Sequence, residues 1–453
     1  MLKKATDNTA PVRTGRLKIT EAPFPVPFYM GLEYSTPARG MWNISHTGML
    51  MPESHQIFVC AYGCLRGVVL TAAEMNAMGR YSALSIREHD IITGSIESLM
   101  IDGVTDILNK LPYRPKCVQI FISCQHFFLS YDHNNVFERI REAHPDIVFL
   151  DCYMIPAMRK SGISPEQRMR RQMTRVWQER TGNDRKRINI LGSNLRLSET
   201  CELRSWLAGA GYELKSIHDC TTFAEYLDMA NAGLNIYYEP VCAAEMKDLK
   251  KRLDMDSFYF TNSFQFDEID AAYNALAERL GIPAPDMSAQ RAAADEAMKQ
   301  AHEVIGDTPV AVDFTFTTRI TSFAKMLADY GFNVRAICTD LIQPEDKAAF
   351  EALRESHPDI DILATNQPES RFFAGEHEEM EKSEETGRRY LAVGQKAAYF
   401  FATDYFVNVA EGGGFLGYDG IVKIAELLID AYENRKERRA LIRRKGFGCE
   451  SCV

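Results

Sequence analysis

The sequence has no run of about 18 consecutive apolar residues, so no membrane-spanning helix and no membrane partner are expected. It has no G-x4-G-K-S/T phosphate loop, which argues against ATP hydrolysis by the chain itself. It has no H-x3-H pair, which argues against a zinc hydrolase. It has no basic excess: 52 Lys and Arg stand against 62 Asp and Glu, a formal net charge of −10. An acidic chain argues against nucleic acid as a partner. The opening residues, Met1 to Asp7, contain no apolar stretch of the secretory kind, and a cytoplasmic location is expected. There is no compositional bias either. With 28 Gly and 18 Pro in 453 residues, a collagen-like or low-complexity chain is excluded.

Cysteine is what the sequence does have. There are eleven, an odd number in a long chain without an export signal. In a reducing compartment such cysteines are buried hydrophobes, metal ligands or nucleophiles, not a disulfide framework.

One grammar recurs along the chain: an apolar β-branched run, a turn, then an amphipathic helix. That alternation predicts an α/β protein of three Rossmann-like modules, with parallel sheets and flanking helices. Gln56–Ala61, Cys117–Cys124 and Asp146–Asp151 read as strands of the first module, with a helix over Val136–Ala143. In the second, Arg187–Gly192 and Leu234–Tyr238 read as strands. A helix over Ser198–Ala210 is expected to be capped by Ser198. In the third, Thr308–Phe314 and Gly331–Ala336 read as strands around a helix over Thr321–Tyr330. The boundaries expected are an arm over 1–35, modules over 36–185, 186–305 and 306–440, and a tail over 441–453. The basic stretch Arg168 to Arg187 reads as a solvated helix face. Arg435 to Arg444 reads as a basic helix.

Cys60 and Cys64 flank Ala61-Tyr62-Gly63 at the end of a predicted strand, and Cys124 ends another in the same module, before Gln125-His126. Ligands bind at strand ends in open parallel sheets. Thiolates there suit an iron–sulfur cluster or zinc, while burial as small hydrophobes is the competing reading. Cys117, Cys152, Cys201, Cys220 and Cys338 have apolar neighbours and read as core; Cys242 is left open. Cys449 and Cys452 form a C-x2-C that reads equally as a metal or redox pair or as a plain tail. Gly412-Gly413-Gly414 and Gly417-Tyr418-Asp419-Gly420 open the last long helix. They read as an anion cradle or as a turn required by sterics.

Taken in order, these segments resemble nitrogenase component 1, a family that also includes cofactor-maturation scaffolds and dark-operative protochlorophyllide reductase components. The pattern H-G-P-x-G-C is echoed by Val59-Cys60-Ala61-Tyr62-Gly63-Cys64. C-P-x-x-x-I-G-x-D is echoed by Cys124-Gln125-His126-Phe127-Phe128-Leu129-Ser130-Tyr131-Asp132. D-x-x-x-G-G is echoed by Asp90–Ser95, V-N-I-I-G by Ile188–Gly192, A-x-L-N-L by Ala232–Ile236, and G-Y-D-G by Gly417–Gly420. The resemblance covers about residues 36 to 435.

The resemblance implies a nitrogenase-like reductase subunit. It would receive low-potential electrons from an ATP-dependent iron–sulfur reductase protein and would pair as a homodimer or with a homologous subunit. A non-catalytic scaffold for metallocofactor assembly is the alternative. No catalytic residue is assigned. The family's early R-G-C stands here as Arg39-Gly40-Met41. Cys60 stands where the family has Gly and replaces the missing ligand, so the implied iron ligands are Cys60, Cys64 and Cys124, for an iron–sulfur cluster of the [4Fe–4S] kind. His126 and Tyr62 are candidate neighbours of that cluster. The family's cofactor cysteine aligns with Glu239, and its late histidine has no counterpart in Asn408-Val409-Ala410-Glu411-Gly412. A molybdenum–iron cofactor held in the usual way is therefore not expected.

Overall fold

Residues of β-strands in an ordinary half-buried sheet alternate between core and solvent. Ser54 to Cys60 and Cys117 to Ser123 do not: every side chain in both segments is buried. Only a sheet covered on both faces permits that. In the structure, a computed structural model, Ile57, Val59, Ile120 and Ile122 enter one hydrophobic cluster, while Phe58, Cys60 and Phe121 enter another on the opposite face. The structure describes residues 15–28, 44–65, 68–69, 72, 76–155, 163–192, 194–374, 377, 390–409 and 414–438.

The described strands form three sheets. The first strand, β1 (Arg16–Lys18), joins the sheet built by the end of the chain, antiparallel to its partner. The first sheet contains β2 (Ser54–Cys60), β3 (Tyr81–Ser85), β4 (Cys117–Ser123) and β5 (Val148–Met154), in the order β3-β2-β4-β5 and all parallel. The second contains β6 (Asp184–Leu191), β7 (Glu213–Ser216), β8 (Ala232–Tyr237) and β9 (Ser257–Tyr259), in the order β7-β6-β8-β9, again all parallel. The third contains β10 (Val310–Asp313), β11 (Val334–Cys338), β12 (Asp361–Leu363), β13 (Leu391–Val393) and β14 (Phe406–Val407), in the order β1-β12-β11-β10-β13-β14. The expected α/β class with parallel sheets is what forms.

Each sheet has one point where the direction of winding reverses: between β2 and β4, between β6 and β8, and between β10 and β13. Two neighbouring strand ends there feed loops to opposite faces, and the crevice between those loops admits ligands. The residues at these crevices are Cys60 and Cys124 in the first sheet, Gly192 and Glu239 in the second, and Asp313 and Gly394 in the third.

Several expectations shift. Cys124 starts a short helix, Cys124–Phe128, rather than ending β4. The edge strand β3 was not anticipated, and its residues are mostly half-exposed with no β-branched member. The helix expected from Ser198 begins at Glu202, with Cys201 at its cap. The hydroxyl of Ser198 instead meets Thr200 and the Lys423 ammonium. The basic stretch is not a solvated face. The helix Pro165–Thr174 buries Met169, Arg170, Gln172 and Met173, and Arg170 pairs with Glu166 at 3.2 Å while Arg187 pairs with Asp228 at 2.6 Å. Arg435 to Glu437 are not helical, and most of that expected helix lies outside the described residues. Among the described residues no helix is long and apolar enough to cross a membrane.

Candidate functional site

The ladder between β2 and β4 runs from Ser54↔Cys117 to Val59↔Ile122. Past that pair the two chains part, and the cysteines lie where they do. Cys60 is the last residue of β2 and is fully buried, in the cluster that holds Phe58, Leu65 and Val68. Its carbonyl accepts from Ile86 N–H at 3.0 Å, after β3. A single 3₁₀ turn, Tyr62–Cys64, follows, closed by Cys64 N–H donating to Ala61 O at 2.9 Å. Cys64 is exposed and Cys124 half-buried. The Gln125 side-chain oxygen joins the two loops, accepting from Ala61 N–H at 3.0 Å and from the Ser123 hydroxyl at 3.1 Å.

Cys60 and Cys64 hold their protons more tightly than free thiols. Burial first, then charge on Cys64 and Cys124, pushes the Cys60 thiol up to about 12. Burial and then charge on Cys124 raise Cys64. Among the described residues, no three His, Cys, Asp or Glu side chains are placed to hold a single metal ion. The donor set therefore does not suit one zinc ion, whereas an iron–sulfur cluster spreads its thiolate ligands over several irons. Three cysteines on the segments that leave two paired strands supply the soft donor type that such a cluster takes.

The two aromatic candidates differ. Tyr62 is 82% exposed and belongs to the surface. His126 is buried, and its Nδ1 accepts from Ser123 N–H at 3.2 Å, so in the neutral ring Nε2 carries the proton. That Nε2 finds no hydrogen-bond partner among the described residues. Burial lowers the pKa of His126 to about 4. Large apolar side chains are exposed on the segments that follow the neighbouring strands. Phe127 is 71% exposed, Phe128 74% and Ile92 80%, and they stand on the loops that follow β4 and β3.

At the second sheet's crevice Glu239 is buried, and its Oε2 accepts from the Thr318 hydroxyl at 2.9 Å. Cys242 is also buried, beside Gly192, where an added Cβ would come within 3.3 Å of its Sγ. Burial raises its thiol well above the usual range. Cys117, Cys152, Cys201, Cys220 and Cys338 are all buried. At the third crevice Asp313 accepts from Ala397 N–H at 2.6 Å, and the buried Lys396 reaches Asn366 at 3.1 Å. The glycine turn before the last long helix is filled from within. Glu202 accepts from Tyr418 N–H at 2.6 Å and Asp419 N–H at 3.1 Å, so an internal carboxylate occupies the anion position. An open cavity of about 630 Å³ lies at the outer edge of the first sheet, lined by His133, Glu138, Arg141 and Asp151 among others; it contains none of the thiols. Cys449, Cys452, Arg39-Gly40-Met41 and Ala410 to Gly413 lie outside the described residues.

The family model for nitrogenase component 1 type oxidoreductases matches residues 46–432. The chain belongs to that family. Solved structures similar to this family member include one described as nitrogenase Cp1 at pH 6.5. It is 14% identical with a TM-score of 0.67, over 95% of this chain and 98% of that one. A second, nitrogenase Cp1 at pH 5, is 12% identical with a TM-score of 0.58, over 92% and 93%. At these identities the likeness establishes the component 1 fold. No curated protein matches the chain.

Proposed function

We propose that this component 1-type chain is a cytoplasmic iron–sulfur reductase subunit whose cluster, of the [4Fe–4S] kind, is held by Cys60, Cys64 and Cys124. The observation that carries the reading is the placement of three cysteines just past the ends of the paired strands β2 and β4, on segments that also expose Tyr62, Phe127 and Phe128. Three thiolates leave a cluster one ligand short, and a second copy or a homologous subunit seated on that surface supplies the rest. When bound, the cluster supplies one-electron transfer from an ATP-dependent reductase partner. The chain's own part is to hold the sulfurs at strand ends, to exclude water from the Cys60 side by the Phe58–Phe121 stack at 4.2 Å, and to offer the apolar rim to its partner. The reduced substrate is a small molecule bound between modules 36–185, 186–305 and 306–440. Glu239 at the second crevice gives that site an oxygen ligand in place of a thiolate, which makes assembly of a metallocofactor the rival role.

Iron and sulfide analysis with electron paramagnetic resonance on anaerobically purified protein tests the reading. We expect iron and sulfide together, and loss of the resonance in Cys64→Ala and in Cys124→Ala. Zinc without iron, or an unchanged resonance in both variants, would refute it. Turnover with an added reductase protein then separates reductase from scaffold: substrate reduction supports the first, and transfer of iron to an acceptor protein without turnover supports the second.

A further inference from the structure

Gln125 ties together the two segments that carry the thiols. Beyond Val59↔Ile122 the sheet offers no backbone acceptor to the next free amide of the β2 segment, Ala61 N–H. The side-chain oxygen of Gln125 takes that place at 3.0 Å, extending the ladder by one bond. The same oxygen accepts from the Ser123 hydroxyl at 3.1 Å, the residue before Cys124. Three carbonyls of the β2 turn are engaged by backbone amides: Cys60 O by Ile86 N–H at 3.0 Å, Ala61 O by Cys64 N–H at 2.9 Å and Tyr62 O by Leu65 N–H at 3.2 Å. Among the described residues, Gln125 is thus the one side chain whose hydrogen bonds tie the segment of Cys60 and Cys64 to the segment of Cys124. It also engages the amide hydrogen of Ala61, the residue between Cys60 and the turn that ends at Cys64.

We propose that Gln125 is a positioning residue that fixes the spacing of the cysteine loops and, by engaging Ala61 N–H, keeps that donor off the sulfurs. The proposal rests on the reading of Cys60, Cys64 and Cys124 as cluster ligands. Adding an electron to a cluster adds negative charge, so a donor turned onto a sulfur stabilises the reduced form and raises the reduction potential. With the acceptor removed, Ala61 N–H is freed next to the sulfurs and the potential rises.

The test compares the full chain with Gln125→Met, which keeps the length and loses the acceptor, and Gln125→Glu, which keeps an acceptor oxygen. In metal-free protein, amide hydrogen exchange at Ala61 reports on the clamp alone. We expect exchange at least about tenfold faster in Gln125→Met and protected in Gln125→Glu. In iron-loaded protein, potentiometric titration should show a reduction equilibrium shifted about tenfold toward the reduced form in Gln125→Met, about 59 mV for one electron. Iron per chain should be unchanged. Equal exchange in wild type and Gln125→Met would overturn the clamp. Faster exchange with an unmoved potential would overturn its action on the cluster. Absence of iron from the wild type would remove the ligand reading, and this inference with it, while the exchange result would still stand for the loop.

Discussion

Two buried ionisable side chains give the protein opposing responses to pH. His55 is fully buried, with its ring nitrogens at 2.7 Å from Tyr113 Oη and 2.8 Å from Ser82 Oγ, both neutral partners. Burial, and then the nearby Arg80 guanidinium, lower its pKa from 6.5 to about 4. Between those values the unfolded chain binds a proton that the folded one refuses, so stability is lost as pH falls from 6.5 toward 4. The loss is about 3 kcal/mol at most. Glu245 is buried on the helix Ala243–Leu253, and burial raises its pKa from 4.5 to about 8, against the opposing pull of Arg170. Here the folded chain keeps a proton that the unfolded one has released, so stability falls as pH rises from 4.5 through 8. Melting temperatures across pH 4 to 9 check both. Glu245→Gln should flatten the alkaline side by up to about 5 kcal/mol, and His55→Gln should flatten the acid side. Slopes unchanged from wild type in either variant would contradict the corresponding assignment.

Carboxylates from distant parts of the chain cap several helices, and this device is hard to read from sequence. The helix Gly417–Glu433 starts on amides held by Glu202, which lies 216 residues earlier. Gly417 has φ +66°, and a Cβ there would lie 2.1 Å from Glu202 Oε1, so the turn needs glycine both for its backbone and for the approach of the carboxylate. Glu202→Gln should cost about 1 to 2 kcal/mol in urea unfolding, and Gly417→Ala more, because it displaces the cap and strains the backbone. Equal stability of Gly417→Ala and wild type would show that the turn can open freely. The contrast with the strands is instructive. β2, β4 and β10 are legible because a strand buried on both faces carries a largely apolar run, and β6 and β8 because their buried stretches Ile188–Leu191 and Leu234–Ile236 do the same. β3 is not, since half-exposed Tyr81-Ser82-Ala83-Leu84-Ser85 carries no such run. At the candidate site, strand-end position and residue type brought out Cys60, Cys64 and Cys124. Gln125 stayed silent because its role depends on Ala61, 64 residues away. Both positions are proline in the patterns that the chain resembles, and here an amide N–H and an acceptor oxygen meet instead.

The second and third sheets share one hydrophobic cluster, and a buried guanidinium adds a polar tie between their modules. Arg319 is buried, donates to Thr261 Oγ1 at 2.6 Å and Glu268 Oε2 at 3.2 Å, and pairs with the fully buried Asp346. Asp346 in turn caps the helix Ile320–Asp329 through Thr321 N–H at 3.0 Å and Ser322 N–H at 3.1 Å. Arg319→Met leaves that carboxylate buried with only the two helix amides and the Thr321 hydroxyl at 2.7 Å, and should cost about 3 to 5 kcal/mol. Arg319→Met combined with Asp346→Asn removes the charge as well and should recover part of the loss. A double variant no better than the single one would mean that the joint depends on shape rather than charge.

At the scale of the whole molecule, net charge and surface pattern pull against each other. Two chains of formal charge −10 repel at long range, so self-association needs short-range apolar contact to overcome it. Tyr62, Ile92, Phe127 and Phe128 are large apolar side chains exposed on the segments after β2, β3 and β4, which also carry the exposed Cys64. Scattered exposed apolar residues need no explanation, but a group of large ones on one rim marks an interaction surface. If that rim is where two component 1-type chains meet, salt should strengthen the pairing by screening repulsion, the reverse of an interface made of ion pairs. Sedimentation velocity at low and high salt reads this directly. Phe127→Asp with Phe128→Asp should shift the chain to monomer with the melting temperature little changed, because both side chains are already in solvent. Iron content should fall in the same variant, since a cluster shared between chains loses ligands when they part. A double variant that stays paired would place the contact elsewhere, and a monomer with full iron content would show that one chain completes the cluster unaided.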